Sequence, residues 1–220
     1  MQAVAVARRV HACSLRGGGA AVKNSAIAND NLSTDAWRDF CLGLYAIYKE
    51  FCAGDIYQWG ASGPDGMRSR IWLVEEGCHW SATIIWAKDS TVLSPANYHR
   101  QYEPCFYGWF DRSSFQRSMN SGKDRTGLSE VWTAPKPSKS DLHPTMKPVE
   151  LCEKGILNSS PSGGIVLDLF GGSGSTLIAC ERTARQCRMM ELDPHYCDVI
   201  VARWEEYTGE KAVREGPREA

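Results

Sequence analysis

The chain has 220 residues, 43% of them hydrophobic and 23% charged, with a formal charge of −1 at pH 7. That length suffices for one domain with a real core, and no apolar run approaches the roughly 20 residues that cross a bilayer. Nine cysteines at irregular spacing, with no CxxC pair, suit neither a disulfide framework nor a zinc site, so they read as reduced, mostly buried small hydrophobes of a cytoplasmic protein.

The first acidic residue is Asp30, so the start is cationic and faintly resembles a transit peptide, although it lacks a long Ser/Arg amphipathic stretch. Within it, "AVAVARRV" (3–10) predicts a strand and "RGGGAA" a flexible loop. Next, Ser33 or Thr34 can cap a helix in which Trp37, Phe40, Cys41, Leu44, Ile47, Tyr48 and Phe51 recur at helical spacing up to Gly54. "DIYQW" then reads as a buried strand, "GPDGMRSRIWLVEEG" as a shorter helix and "HWSATIIWAK" as a further strand, joined by glycine-containing turns. Such alternation predicts an α/β fold.

From Asp111 to Ser140 the pattern gives way to Ser, Lys, Arg and Pro, and only "VW" suggests a brief strand. A loop this long is either functional or a solvated insertion, and its cations suit a surface that meets phosphates. Lys88, Arg100, Arg112, Arg117, Lys123, Arg125, Lys136 and Lys139 are candidates for such contact, each set against the alternative of a solvated charge. Regular structure resumes with Pro148 in the first turn of a helix, then a strand at 165–169, a helix at 174–184, a strand at 187–192 and a helix at 194–208. Trp204 and Tyr207 of the last helix are expected in the core, and Trp59, Trp86, Tyr98 and Tyr107 in the core or a pocket wall.

The most informative stretch is "VLDLFGGSGSTLIACERTARQCRMMELDP", a strand, a glycine turn, a helix and a second strand in 29 residues (166–194). Gly171, Gly172 and Gly174 let a ligand approach the backbone closely at the carboxyl end of a strand. A dinucleotide is disfavoured, because the third glycine of G-x-G-x-x-G is replaced by Leu177 and because Asp168 would repel a pyrophosphate. S-adenosylmethionine fits better: Asp168 can take its ammonium, Phe170 supplies an apolar neighbour, and Glu191 can accept from both ribose hydroxyls. Glycines that merely permit tight helix–strand packing are the bland alternative, and Asp193 before Pro194 reads equally as a helix cap.

"HPTMKPVEL", followed closely by "VLDLFGGSGSTLIACE" and "MELDPHYCDVIVARWEEYTG", resembles the permuted (beta-class) DNA amino-methyltransferases, which make N6-methyladenine or N4-methylcytosine. The likeness extends through "IYQW", "ATIIWAKDSTVL" and "YEPCFYGW" and covers roughly residues 29–212. It implies a single methyltransferase domain over 1–220 with a Rossmann-like, mostly parallel sheet of about seven strands, one of them antiparallel, helices on both faces and a permuted motif order. It also implies S-adenosylmethionine as cofactor and duplex DNA as partner, with extrusion of the target base, a recognition segment at 111–140, and a homodimer. On this resemblance Asp168, Phe170, Gly172 and Gly174 would line the methionine end of the cofactor and Glu191 its ribose. His143, Pro144, Thr145 and Lys147 would form the facing wall, Thr145 and Lys147 donating to the cofactor carboxylate.

One family motif is missing. An exocyclic amino group is a poor nucleophile, and the family corrects this with Asp/Asn/Ser-Pro-Pro-Tyr at the end of the opening strand, whose oxygens accept the amino hydrogens while the aromatic ring stacks on the base. Here that place is held by His11, Ala12, Cys13, Ser14, Leu15 and Arg16, and Ser94, Pro95 and Tyr98 imitate the motif at the wrong spacing. The catalytic residues are therefore unassigned. Degeneration to a non-catalytic cofactor- or DNA-binding module, truncation and a frame error near Ser14 to Arg16 stand as three accounts of the gap.

Overall fold

A computed structural model gives the fold for residues 2–7, 32–92, 97–111, 128–135 and 146–214. In chain order the elements are β1 (Gln2–Ala7), α1 (Thr34–Phe51), β2 (Cys52–Trp59), α2 (Pro64–Glu75), β3 (His79–Val92), β4 (Arg100–Trp109) and β5 (Val131–Thr133). They continue as α3 (Val149–Ser159), β6 (Ile165–Asp168), α4 (Ser175–Thr183), β7 (Gln186–Met189) and α5 (Pro194–Thr208). The short "VW" strand is thus present as β5.

The strands form one seven-stranded sheet in the order β5-β3-β4-β2-β1-β6-β7. β6 and β7 are parallel, β1 is antiparallel to both β6 and β2, β4 is antiparallel to both β2 and β3, and β5 is parallel to β3. Five strands therefore share one direction, and two, β1 and β4, oppose it; because each reversed strand lies between two others, four of the six neighbouring pairs are antiparallel, and the expected mostly parallel sheet is not found. The expected single reversed strand is β4, joined to β3 as a hairpin-like pair. The second is β1, whose Val4 lies opposite Asp168 and whose Val6 lies opposite Val166. Its amino end, not its carboxyl end, therefore meets the sheet edge at which β2, β3, β5, β6 and β7 finish.

Side chains alternate across the sheet. Ile56, Phe106 and Leu167 point to a layer made by α1 and α2, where Cys41, Leu44, Tyr45, Tyr48 and Leu73 are buried. Their neighbours Tyr57, Cys105 and Val166 point the other way, into clusters with Leu151 and Ile156 of α3 and Ile178 of α4. Helices thus cover both faces, as the family resemblance implies, and burying a side chain of this size contributes about 1.5–3 kcal/mol.

Ser33 caps α1, accepting from the Ala36 N–H at 3.2 Å. The buried stripe is Cys41, Leu44, Tyr45 and Tyr48, a run of i, i+3, i+4, i+7 positions. Phe40, Ile47 and Phe51, which share that helical spacing, are 37–41% exposed, because the apolar residues of this helix span more than the arc that one neighbouring layer covers. Trp59, Trp86 and Tyr107 join the core cluster as expected, but Tyr98 is 90% exposed before β4. α5 buries no residue fully and Tyr207 is 46% exposed, since this outer helix packs on α4 along one line only.

α3 is pinned to the sheet through polar groups. Ser159 Oγ donates to Asp55 Oδ2 at 2.5 Å and lies 2.7 Å from Tyr57 Oη, while Tyr107 Oη donates to the same carboxylate oxygen at 2.8 Å. A buried carboxylate is tolerable only with such donors. The described cysteines are free, six of them buried, with Cys187 partly covered and Cys197 exposed. No helix among the described residues is long and apolar enough to cross a membrane.

Candidate functional site

The chain turns from β6 into α4 at the sheet edge where five strands end. Gly172 and Gly174 hold φ of 54° and 80°, the left-handed region that strains any residue with a Cβ. Gly171 is packed closely: a Cβ there would lie 2.8 Å from Met189 Sδ and 3.0 Å from Ile200 Cδ1, so those side chains would have to shift to admit one. The turn closes on itself through Gly174 N–H to Gly171 O at 2.8 Å and is sewn to the residue just after β7 by Gly171 N–H to Met190 O at 2.8 Å.

Glu191 completes that seam. Its Oε2 accepts from Gly172 N–H at 2.7 Å and its Oε1 from Asp193 N–H at 2.9 Å. A carboxylate offers about four lone-pair directions, so each oxygen keeps one for a further donor. Glu191 was expected at the end of a strand reaching 192, but β7 stops at Met189, opposite the last residue of β6, and the carboxylate sits in the following loop. Asp193 caps α5, accepting from His195 N–H at 2.9 Å, as its cap reading predicts.

Asp168 is fully buried, and its Oδ1 accepts from Phe170 N–H at 2.9 Å. Phe170 is half-buried beside Phe40, with ring centroids 6.1 Å apart, and Phe40 stacks on Trp37 at 5.6 Å. An aromatic row on α1 therefore flanks the glycine turn on its α1/α2 side.

Lys147 approaches from the other side. Its carbonyl accepts from Ser175 Oγ at 2.7 Å, tying it to the head of α4, while its ammonium reaches β4 and meets Glu103 Oε2 at 2.8 Å. Lys88 takes Glu103 Oε1 at 2.7 Å, so one carboxylate serves two ammonium groups beside the Trp86 ring. Burial works to raise the Glu103 carboxyl, but Lys147 and Lys88 outweigh it and hold the group below its ordinary range. Lys88 is thereby corrected as a phosphate candidate: its side chain is 8% exposed and its charge is spent on Glu103. Arg100 is exposed at the start of β4. His143, Pro144 and Thr145, like residues 11–16, 94–95 and the cations from 112 to 125 and from 136 to 139, lie outside the described residues.

The structure thus gathers Asp168, Phe170, Gly172, Gly174 and Glu191 around one turn and ties Lys147 to it through Ser175. Sequence reading missed Glu103 and Arg203; the latter donates from α5 to Ser173 O at 2.9 Å. Neither stands in a recognisable spacing, because both act on residues distant in the chain. Among the described residues no group of three or more His, Cys, Asp and Glu could hold a metal.

The DNA methylase family profile matches residues 21–202. The type II methyltransferase M.Cfr9I of Citrobacter freundii is 30% identical over 142 residues, 60% of this chain and 46% of that protein. M2.DpnII of Streptococcus pneumoniae is 28% identical over 131 residues, covering 58% of this chain and 43% of its own, so the chain spans less than half the length of these two relatives. The orphan methyltransferase M.BamHII of Bacillus amyloliquefaciens is 26% identical over 208 residues, with 74% of this chain and 78% of that protein covered. Among solved structures, the M1.HpyAVI complex with SAM aligns with a TM-score of 0.61 at 24% identity, over 74% of this chain and 81% of that one. The cytosine-N4-specific PvuII DNA methyltransferase aligns at 0.62 and 16%, over 86% and 77%. With the profile covering most of its length and the fold shared with these enzymes, the chain belongs to the DNA methylase family.

Proposed function

We propose that this chain is a site-specific DNA methyltransferase, moving a methyl group from S-adenosylmethionine to an exocyclic amino group, N6 of adenine or N4 of cytosine, in duplex DNA. The observation that carries the reading is the Glu191 carboxylate, clasped to Gly172 at 2.7 Å and still able to accept at both oxygens, at the carboxyl edge of β6. A ribose with two adjacent hydroxyls matches that acceptor pair. The fit extends along the turn: the left-handed glycines leave no Cβ in the way, and Asp168 beneath Phe170 supplies the negative charge that an ammonium needs.

When bound, the cofactor supplies an electrophilic sulfonium methyl. The protein's own residues orient it: Glu191 at the sugar, Asp168 and the turn at the amino-acid tail, Phe170 against its apolar flank. His143, Pro144, Thr145 and Lys147 would close the opposite wall; the Ser175 bond fixes the Lys147 carbonyl at the head of α4, while its ammonium, like that of Lys88, is paired with Glu103. The segment 111–140 would read the DNA, and a homodimer would extend the footprint; the free cysteines suit a reducing cytoplasm.

A second reading, a module that binds cofactor or DNA without turnover, is favoured by one observation. β1 enters the sheet reversed, so the chain leaves it at Ala7 on the edge opposite Asp168, away from the turn where an amino group would have to be activated.

Incubation with tritiated S-adenosylmethionine and unmethylated duplex DNA separates the two. Labelled DNA supports the enzyme. Calorimetric binding of S-adenosylhomocysteine without labelling supports the module, and binding of NAD in place of S-adenosylhomocysteine overturns both.

A further inference from the structure

Arg203 projects from α5 across to the glycine turn. Its Nη1 donates to Ser173 O at 2.9 Å and lies 3.4 Å from Ser173 Oγ, 3.3 Å from Ser175 Oγ and 3.6 Å from Met146 Sδ. One nitrogen carries two protons, so the shortest contact, to the Ser173 carbonyl, is the main bond and the others share what remains. Through Ser175, which donates to the Lys147 carbonyl, this guanidinium ties together the turn, the head of α4 and the segment that precedes α3.

Its partners in the fold are neutral acceptors. It is half-buried, and burial pulls its pKa down; no described carboxylate lies within ion-pair distance, and Glu150 and Glu206 act on it only from afar. It also sits at the amino end of α4, the positive end of the helix dipole, where a cation is disfavoured and an anion is welcome. The helix leaves that end open, for Gly174 at the N-cap offers no side-chain acceptor. A guanidinium added to an already positive corner makes physical sense when an anionic ligand joins it.

We propose that Arg203 is a positioning residue for the carboxylate of the cofactor's amino-acid tail. It fixes the Ser173 carbonyl and the Ser175 hydroxyl at the head of α4 and gives that corner of the turn the charge to hold an anion. The inference rests on S-adenosylmethionine being the ligand. The tail is a zwitterion, so its ammonium would lie toward Asp168 and its carboxylate toward α4, with opposite charges set apart along one turn.

The test compares three ligands by calorimetry: S-adenosylhomocysteine, its carboxamide, which lacks only the negative charge, and methylthioadenosine, which lacks the amino-acid tail. The proposal expects wild-type protein to prefer the acid over the amide by roughly tenfold or more. In Arg203→Gln, affinity for S-adenosylhomocysteine should fall by a similar factor while methylthioadenosine changes less than about twofold, and Arg203→Lys should restore most of the loss. Equal loss for S-adenosylhomocysteine and methylthioadenosine would mean that Arg203 only braces the turn, and that overturns the proposal; so does no loss at all. If Arg203→Gln is unfolded by circular dichroism, the wild-type acid-to-amide ratio decides, a ratio near one being fatal. Failure of the wild type to bind any of the three ligands sinks the cofactor reading itself, a different result from either of these.

Discussion

Single side chains here work by holding backbone groups, and Glu191 is the sharpest case. Its two oxygens accept from Gly172 and Asp193, so Glu191→Gln replaces one acceptor by an amide that points N–H at N–H. We expect about 1–3 kcal/mol of lost stability in urea denaturation, and S-adenosylhomocysteine affinity lower by roughly tenfold or more. Glu103 gives a pH prediction. Lys147 and Lys88 hold its folded pKa below the ordinary 4.5 against the opposing effect of burial. A depressed carboxyl contributes stability that is fully present above its unfolded pKa and is lost as pH falls through the folded value. Wild-type stability should therefore drop from about pH 4.5 downward, and Glu103→Gln should flatten that slope while lowering stability at pH 7, where two ammonium groups are left facing each other. Acid titration of the thermal midpoint checks both. These residues also mark how far the sequence could be read: Asp168, Gly172 and Glu191 lie within 24 residues and form a local pattern, whereas Glu103 meets Lys147 only after the chain has folded across 44 positions.

Among the elements, the glycine turn was legible because its requirement is steric and local. Gly174 at φ 80° should tolerate no Cβ without strain of about 1–2 kcal/mol, and Gly174→Ala would also place that carbon 3.3 Å from Ile200 Cγ1. Gly163, at φ 73° with open space around it, is the control. Gly163→Ala should cost the backbone strain alone and leave S-adenosylhomocysteine binding unchanged, while Gly174→Ala should cost more and weaken binding. Equal effects in the two variants would show that the turn's shape does not matter to the ligand. Helix existence was also legible, since α1, α2, α4 and α5 announce themselves by period and punctuation. Their degree of burial was less so: period 3.6 reveals which face of α1 is apolar, but not that the covering layer stops short of Phe40, Ile47 and Phe51. The end of β7 was misjudged for a similar reason. "MMEL" can extend a strand by composition, but its partner β6 ends at Asp168, and after Met190, which bonds Asp168 O and Gly171 N–H, no strand is left to pair with.

At the scale of the whole molecule, strand direction was the least legible property. A two-residue period tells which face is buried but reads the same from either end, so nothing in "AVAVA" announced that β1 would run against β6 and β2. That strand joins two halves of the sheet, β7 and β6 with α3 to α5 on one side and β2 to β5 with α2 on the other. Side-chain ties also cross the divide: Ser159 with Tyr57 and Asp55, Lys147 with Glu103, and Phe40 against Phe170. Each such tie nets only about 0.5–1.5 kcal/mol, whereas removing β1 would leave β2 and β6 as facing, unpaired edges in the middle of the sheet. Deleting Gln2–Ala7 should therefore remove a large part of a total that is typically about 5–15 kcal/mol. We expect the shortened chain to lose its single cooperative calorimetric transition and to elute as aggregate in gel filtration. The outcome also bears on function, because Asp168, Gly172 and Glu191 all belong to the β6–β7 half. A shortened chain that stays monomeric, melts as before and binds S-adenosylhomocysteine would mean that the cofactor half stands without its central strand, and that β1 neither holds the sheet together nor serves the site.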